Sequence, residues 1–302
     1  MNVLVVVAPG QGSQTPGFLA PWLDVPGVKD RLEWLSAVAG LDLVAHGTTS
    51  DADTIRDTAI AQPLIVGAGL VTMLSLFPHP SAAFSQIGAG AGHSVGEITA
   101  SVGAGVLSAE QAMVFVRERG KGMAAAAAVT ATGMSAVLGG DADVVVAQAE
   151  KHGLTPANMN GAGQIVVAGT MEQLAAFAAD APEGSRVRPL EVAGAFHTSY
   201  MASAVDTLRQ AAAGVNTNAP TKSLWTNNDG SKVTDGQAFR DLLVGQVSSP
   251  VRWDLCMNSF AEAGVTGIIE LAPAGALVGL AKRGLKGVPT VAIKTPDDLV
   301  AA

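Results

Sequence analysis

The chain is poor in cysteine, charge and aromatic residues, and each shortage removes a class of function. Cys256 is the only cysteine among 302 residues, which excludes an internal disulfide and any zinc site built from several thiolates. Charged residues make up 15% of the chain and apolar residues 48%, the reverse of the balance found in disordered chains. The 18 basic residues are outnumbered by 26 acidic ones, leaving a net charge of −8 and a pI near 5.0. Binding nucleic acid takes a basic face for the phosphates, and an aromatic content of 4% offers few rings for stacking on bases. Nucleic acid is therefore not expected as a partner.

A long apolar run is also missing, although the mean hydropathy is +0.34. The most lipophilic stretch, residues 65–77, is interrupted by Gly67 and Gly69 and bracketed by Pro63 and Pro78. A spanning helix needs about 20 apolar residues, so no membrane association is expected. Residues 1–7 carry no basic segment before their apolar run, which Pro9-Gly10 ends. They are expected to form a first strand and not a signal peptide. With the single cysteine, this points to a cytoplasmic protein.

What is there is a pattern of alternating strands and helices. Residues 3–8 form a Val-rich run suited to a strand buried on both faces, followed by the Gly-rich loop Pro9-Gly10-Gln11-Gly12-Ser13-Gln14. Helical patterns cover residues 26–45 and 54–76, with Gln62-Pro63 marking a break or a start. Residues 82–92 are small and Gly-dense. Ser108-Ala109-Glu110-Gln111 reads as a capping box opening a helix to about residue 123, which the alanines at 124–128 can extend. The pattern then changes. Strands at 134–138, 154–159, 164–168 and 187–192 alternate with helices at 141–152 and 171–180, in the β-α-β-β-α-β order of the ferredoxin-like unit. A helix at 198–213 and strands at 268–271 and 290–293 follow. The expectation is an α/β chain, its large domain at 1–129 and 193–302 interrupted by a small subdomain at 130–192.

Gly92-His93-Ser94-Val95-Gly96 fits the G-x-S-x-G nucleophile elbow, which places a serine hydroxyl at a helix N-terminus. A Gly-rich turn that merely packs a helix on a sheet shows the same residues. Of the five histidines, His79 between two prolines is expected on an exposed turn, His152 at a helix end, and His46 has no distinguishing context. His93, next to Ser94, is expected to pack or orient. His197, on the small-residue turn Gly194-Ala195-Phe196-His197-Thr198-Ser199, is placed either to act as base for Ser94 or to lie exposed at a helix start. Arg117 and Arg119 share the capped helix. A guanidinium facing the active-site cleft would bind a carboxylate through two hydrogen bonds. The loop at 9–14 lacks the Gly-Lys-Ser/Thr of a P-loop, and Thr15 stands where a dinucleotide fingerprint has its third glycine. It can instead lend a backbone N–H to an oxyanion hole.

Several of these residues resemble the malonyl-CoA:acyl-carrier-protein transacylases: the loop at 9–14, Gln62-Pro63, Gly92-His93-Ser94-Val95-Gly96-Glu97, and Arg119-Gly120-Lys121-Gly122-Met123. Asn160, residues 164–169, Phe196-His197 and residues 246–253 match as well, so the resemblance runs in order along almost the whole chain. It implies an α/β-hydrolase-like large domain with an inserted ferredoxin-like subdomain. Ser94 would be the nucleophile and His197 its base, oriented by a backbone carbonyl near Gln246. The N–H groups of Gln11 and Val95 would form the oxyanion hole, and Arg119 would pair with the malonyl carboxylate. Gln62, Phe196 and Asn160 would shape the substrate pocket, with Phe196 disfavouring a 2-methyl branch.

The resemblance also implies malonyl-CoA and acyl carrier protein as substrate and partner, no cofactor or metal, and a monomer. Other readings are an acyltransferase serving a polyketide carrier, a serine esterase or thioesterase of α/β-hydrolase type, and a non-catalytic scaffold. The carrier is acidic, so docking would need a local basic patch. Lys282, Arg283 and Lys286, or Arg186 and Arg188, are the candidates.

Overall fold

The Val-rich run near the start of the chain forms β1 (Val3–Ala8). In the computed structural model, which describes residues 3–77, 79 and 88–302, β1 is the middle strand of a parallel sheet. The chain then forms α1 (Val28–Ala39), α2 (Leu43–Thr48), α3 (Ala52–Arg56) and α4 (Thr58–Ser75). It returns to the sheet as β2 (Ala89–Gly92), followed by α5 (Gly96–Gly103) and α6 (Ala109–Ala127). Of the sequence expectations, residues 1–2, Pro78, Pro80 and most of the small-residue stretch, residues 82–87, lie outside the described residues.

A second, antiparallel sheet comes next, built from β3 (Thr132–Gly139), α7 (Ala142–Lys151), β4 (Thr155–Gly161), β5 (Gln164–Thr170), α8 (Met171–Ala179) and β6 (Ser185–Pro189). Its strand order is β4-β5-β3-β6, and the β-α-β-β-α-β succession is the one read from the sequence. The remaining elements are α9 (Ala202–Ala212), β7 (Ser223–Leu224), α10 (Gly236–Gly245), α11 (Trp253–Glu262), β8 (Val265–Glu270), α12 (Ala276–Gly284) and β9 (Thr290–Ala292). They complete the parallel sheet in the order β7-β2-β1-β8-β9. The fold is thus a large α/β unit with a parallel sheet, accompanied by a small antiparallel α+β unit.

Side chains alternate across a strand, and β1 shows it directly. Val6 and Ala8 join the core made with α4, α5 and α6. Val5 and Val7 face the opposite side, where Trp225, Trp253 and Phe260 pack. With both faces covered, β1 has no need of polar residues. A third core, with Val137, Val167 and Phe177, fills the space between the antiparallel sheet and its helices.

The helical patterns at 26–45 and 54–76 each divide in two, between α1 and α2 and between α3 and α4, so the second break falls at Asp57. Pro63 does not break the helical pattern, because α4 runs through it from Thr58 to Ser75. Proline removes one N–H, and here it lies early in the helix, where few intrahelical bonds have yet formed. Tertiary packing then outweighs the lost bond. Gly120 brings α6 so close that a Cβ there would lie 2.9 Å from the Thr58 carbonyl oxygen. By length and composition α4 is able to cross a membrane, yet 78% of it is buried inside the fold.

The two sheets are tied together near the carboxyl end of β1. The edge strand β4 pairs with a segment from the large unit: Met159 N–H donates to Val251 O and Val251 N–H to Ala157 O, both at 2.9 Å. Between them opens a cleft of about 660 Å3, lined on one side by the loop after β1 and the start of α12, and on the other by Asn158, Asn160, Gln164 and Val166. Ligand sites of open α/β sheets lie at the carboxyl ends of strands.

Candidate active site

The strand β2 delivers the chain into a sharp turn. Ser94 has φ 54°, a left-handed conformation that costs a non-glycine residue on the order of 1–3 kcal/mol. Gly96 permits the turn's close approach to β1, since a Cβ there would lie 2.1 Å from the Ala8 carbonyl oxygen. The result is the strand–turn–helix geometry of a nucleophile elbow, with the hydroxyl at the start of α5.

His197 also has a left-handed backbone, with φ 63°, and its N–H donates to Val247 O at 3.0 Å. Its imidazole bridges two partners. Nδ1 lies 2.8 Å from the Gln246 carbonyl oxygen, and Nε2 lies 2.7 Å from Ser94 Oγ. A carbonyl only accepts, so Nδ1 carries the proton and Nε2 presents its lone pair to the serine hydroxyl. Burial, with the Arg119 charge nearby, lowers the His197 pKa to about 3. A neutral ring is the form a general base requires. Among the described residues no carboxylate contacts the His197 ring; the Gln246 carbonyl takes the Nδ1 position that an acid holds in a hydrolase-type triad.

Arg119, on the third turn of α6 after its capping box, is 1% exposed. Its guanidinium donates to Gln62 Oε1 at 2.7 Å, Gln246 Oε1 at 2.9 Å and Ser94 Oγ at 3.3 Å. All three partners are neutral. Burial lowers its pKa to about 10, against the opposing pull of Glu97, so it stays charged at neutral pH. A buried cation held beside the nucleophile by amides and a hydroxyl is a seat for an anionic group. Arg117, by contrast, is half-exposed and pairs with Glu118 at 2.7 Å.

The loop after β1 brings Gln11 beside the elbow. Its side chain donates to Thr58 Oγ1 at 3.1 Å, and Gln14 Nε2 pins the loop to Ile55 O at 3.0 Å. Among the described residues, neither the Gln11 nor the Val95 N–H donates to a protein acceptor. Two free N–H groups flanking a serine can hold a developing oxyanion. Gln62, 1% exposed, links Arg119 to Gln11 Oε1 at 3.4 Å.

Asn160 lines the cleft and takes a hydrogen bond at 2.8 Å from His93 Nε2, so His93 joins the elbow to the antiparallel sheet. Burial lowers the His93 pKa. Phe196 is 5% exposed and packs in the core next to His197. Ser94 is 8% exposed, and its chain neighbour His93 lines the cleft together with Gln11. The other histidines stand apart: His79 is exposed, His46 contacts Ser50 and His152 pairs with Asp180.

Two further residues of the site carry little signal in the sequence. Glu97, the residue that follows the elbow motif, is 1% exposed and accepts from the Asn227 N–H at 2.6 Å and from the Gln246 side-chain amide. Burial raises its pKa to about 8, against the lowering effect of the Asn227 N–H. Asn227 is fully buried and accepts from the Ser94 N–H at 2.7 Å. Only the adjacency of Glu97 to the motif was available as a signal.

A family model for the acyl transferase domain matches residues 5–295. Malonyl CoA-acyl carrier protein transacylase from Mycobacterium tuberculosis is 49% identical over 302 residues, covering 98% of both chains. The chain belongs to the malonyl CoA-acyl carrier protein transacylases, a family of acyl transferases. The solved structure of the malonyl transacylase (MCAT) from Mycobacterium tuberculosis superposes with a TM-score of 0.93 at 49% identity, over 98% of each chain. A solved complex of a type II PKS acyl-carrier protein with its malonyl-transacylase matches with a TM-score of 0.91 at 29% identity, over 99% of this chain and 98% of that one. The fold of the transacylase family thus spans both sheets.

Proposed function

We propose that this acyltransferase moves a malonyl group from malonyl-CoA to the phosphopantetheine thiol of acyl carrier protein, through a malonyl ester on Ser94. The observation that carries the reading is the chain Ser94 Oγ–His197 Nε2, His197 Nδ1–Gln246 O, with the unneutralised Arg119 guanidinium 3.3 Å from the same hydroxyl. As Ser94 Oγ attacks the thioester carbonyl, its proton passes to His197 Nε2, and the N–H groups of Gln11 and Val95 receive the oxyanion. The intermediate collapses, the carbon–sulfur bond breaks, and coenzyme A leaves as a thiol with the proton from His197. The carrier thiol then gives its proton to His197 and attacks the ester, and the proton returns to Ser94 Oγ. Two easier steps replace one difficult transfer, and the order is ping-pong.

Arg119 selects the acyl group. An acetyl group would leave the buried guanidinium without an anionic partner, which weakens its transition state. Gln62 and Gln246 aim the guanidinium, and Asn160 shapes the mouth of the site. Phe196, behind His197, sets the room available beside it. The reading takes residues 130–192 as the ferredoxin-like subdomain and 1–129 with 193–302 as the catalytic domain, the substrate arm lying in the cleft between them. The scheme draws on side chains and backbone N–H groups of this chain and invokes no cofactor or metal, and the reading takes the protein as a monomer. A cytoplasmic setting fits the single, buried cysteine. The exposed Arg186, Arg188, Lys282, Arg283 and Lys286 offer an acidic carrier a basic surface, with Arg283 at the cleft wall.

The test is to incubate the protein with radiolabelled malonyl-CoA, isolate the labelled enzyme, and add acyl carrier protein. Label is expected on the wild type, none on Ser94→Ala, and transfer to the carrier. An unlabelled wild type, or a labelled Ser94→Ala, overturns the reading.

A further inference from the structure

Asn227 follows the edge strand β7, and the reaction scheme makes no use of it. The parallel ladder pairs Ala89 with Ser223 and Gly90 with Leu224, and the Trp225 N–H extends it to Gly90 O at 3.3 Å. Carried forward, that register sets position 227 opposite His93. In a parallel ladder, a residue so placed donates its N–H to the carbonyl before its opposite number and accepts the N–H after it. Those two groups are Gly92 O and the Ser94 N–H.

The main chain of Asn227 makes neither bond, because its N–H donates to Glu97 Oε1 at 2.6 Å. Its side chain makes both. Nδ2 donates to Gly92 O at 2.8 Å, and Oδ1 accepts from the Ser94 N–H at 2.7 Å. The side-chain amide thus repeats the donor and acceptor of a peptide unit at the point where the backbone turns away. Oδ1 also lies 3.4 Å from Gln246 Nε2, and Nδ2 lies 3.6 Å from Cys256 Sγ.

We infer that Asn227 is a positioning residue, its amide standing in for a strand to hold Ser94 in the left-handed turn that presents Oγ to His197. Ser94 carries a Cβ at φ 54°, a conformation that persists only where surrounding bonds over-determine it. The bonds on either side of His93 supply that constraint. Rotation of Ser94 toward an ordinary φ would carry Oγ off His197 Nε2 and turn the Val95 N–H away as well. Glu97 serves the same end by engaging the one Asn227 donor that would compete.

The inference rests on the reading of Ser94 as nucleophile, and Asn227→Asp tests it. An ionised aspartate accepts from the Ser94 N–H but cannot donate to Gly92 O, whereas a protonated one does both. The rate at which a fluorophosphonate probe labels Ser94 should fall roughly 100-fold at pH 8.5, the scale of a small misplacement of a reacting group. It should recover relative to wild type as the pH drops to about 5.5, the acid side where a carboxyl regains its proton. KM for malonyl-CoA should hold while kcat falls. Wild-type rates in the variant, or a loss by the same factor at every pH, overturn the inference.

The probe needs only the serine and its base. A wild type that labels but does not transfer malonyl overturns the transacylase reading and leaves this one standing. Should the variant fail to fold, hydrogen exchange on the wild type decides. A protected Ser94 amide supports the bond to Asn227, and exchange as fast as in an open turn overturns it.

Discussion

In the proposed reaction, Arg119 concentrates the choice of substrate in one guanidinium. Its three neutral partners fix its direction without satisfying its charge, so the missing anion is the substrate's to bring. In Arg119→Ala, the ratio of kcat/KM for malonyl-CoA over acetyl-CoA should fall roughly 100-fold, equivalent to the ~3 kcal/mol of a charged hydrogen-bonded contact. The ratio is the measurement to make, because loss of the bond to Ser94 Oγ slows both substrates alike. An unchanged ratio removes Arg119 from carboxylate recognition. The elbow pattern points to Ser94 by itself, whereas His197 and Arg119 are singled out only by the family resemblance, since local spacing leaves His197 undecided and does not separate Arg119 from Arg117. Asn227 was not legible in either way. It sits in Thr226-Asn227-Asn228-Asp229-Gly230, which reads as an ordinary turn, and its partners on the elbow are 133 and 135 residues away. No local pattern encodes a side chain that imitates a distant strand.

Local signals served best where an element carries its own ends. The capping box was read at Ser108, and the structure contains both of its bonds, Gln111 N–H to Ser108 Oγ at 3.2 Å and Ser108 N–H to Gln111 Oε1 at 3.1 Å. The small antiparallel unit was legible for the same reason: its strands and helices follow one another with their turns between them. α12 shows the opposite case and carries no local start signal. Its first turn begins at Gly275 with no local cap. The carboxylate of Glu270, fully buried, accepts the N–H groups of Gly275, Leu277 and Val278 at 2.9–3.0 Å, a cap supplied from the end of β8. α10 and α11 also lie outside the helical patterns expected from the sequence, and β7 is only two residues long, below what periodicity can reveal. Ser108→Ala should therefore act on its element alone. Losing the cap costs about 1 kcal/mol, which lowers Tm by roughly 2–4 °C. Malonyl transfer should be unchanged, because Arg119 lies about three turns further along α6. A thermal melt and a transfer assay check both halves, and a loss of activity at unchanged Tm would contradict this account.

The chemistry is built into the core of the molecule, and that choice shapes its stability as a whole. A charge content of 15% does not say where the chain's few special polar groups lie. Which of them share one network only the joined sheets reveal. His197 is held neutral, its pKa lowered by burial to about 3, and the unfolded chain binds that proton near pH 6.5. Stability from this group is thus lost as the pH falls below 6.5, because acid favours the unfolded state. Glu97 works in the opposite direction. Its pKa is raised by burial to about 8, so its contribution is lost as the pH rises from about 4.5 toward 8. The two slopes oppose one another between about pH 4.5 and 6.5, and the wild-type curve alone hides both. The difference between His197→Gln and wild type isolates the histidine. Between pH 7 and pH 5 that difference in unfolding free energy should shift in favour of the variant by about 2 kcal/mol, close to 1.36 kcal/mol per pH unit below 6.5. Urea titrations at the two pH values measure it. A difference that stays constant would mean that His197 takes up a proton as readily when folded as when unfolded, which is incompatible with a neutral base held between Ser94 and the Gln246 carbonyl.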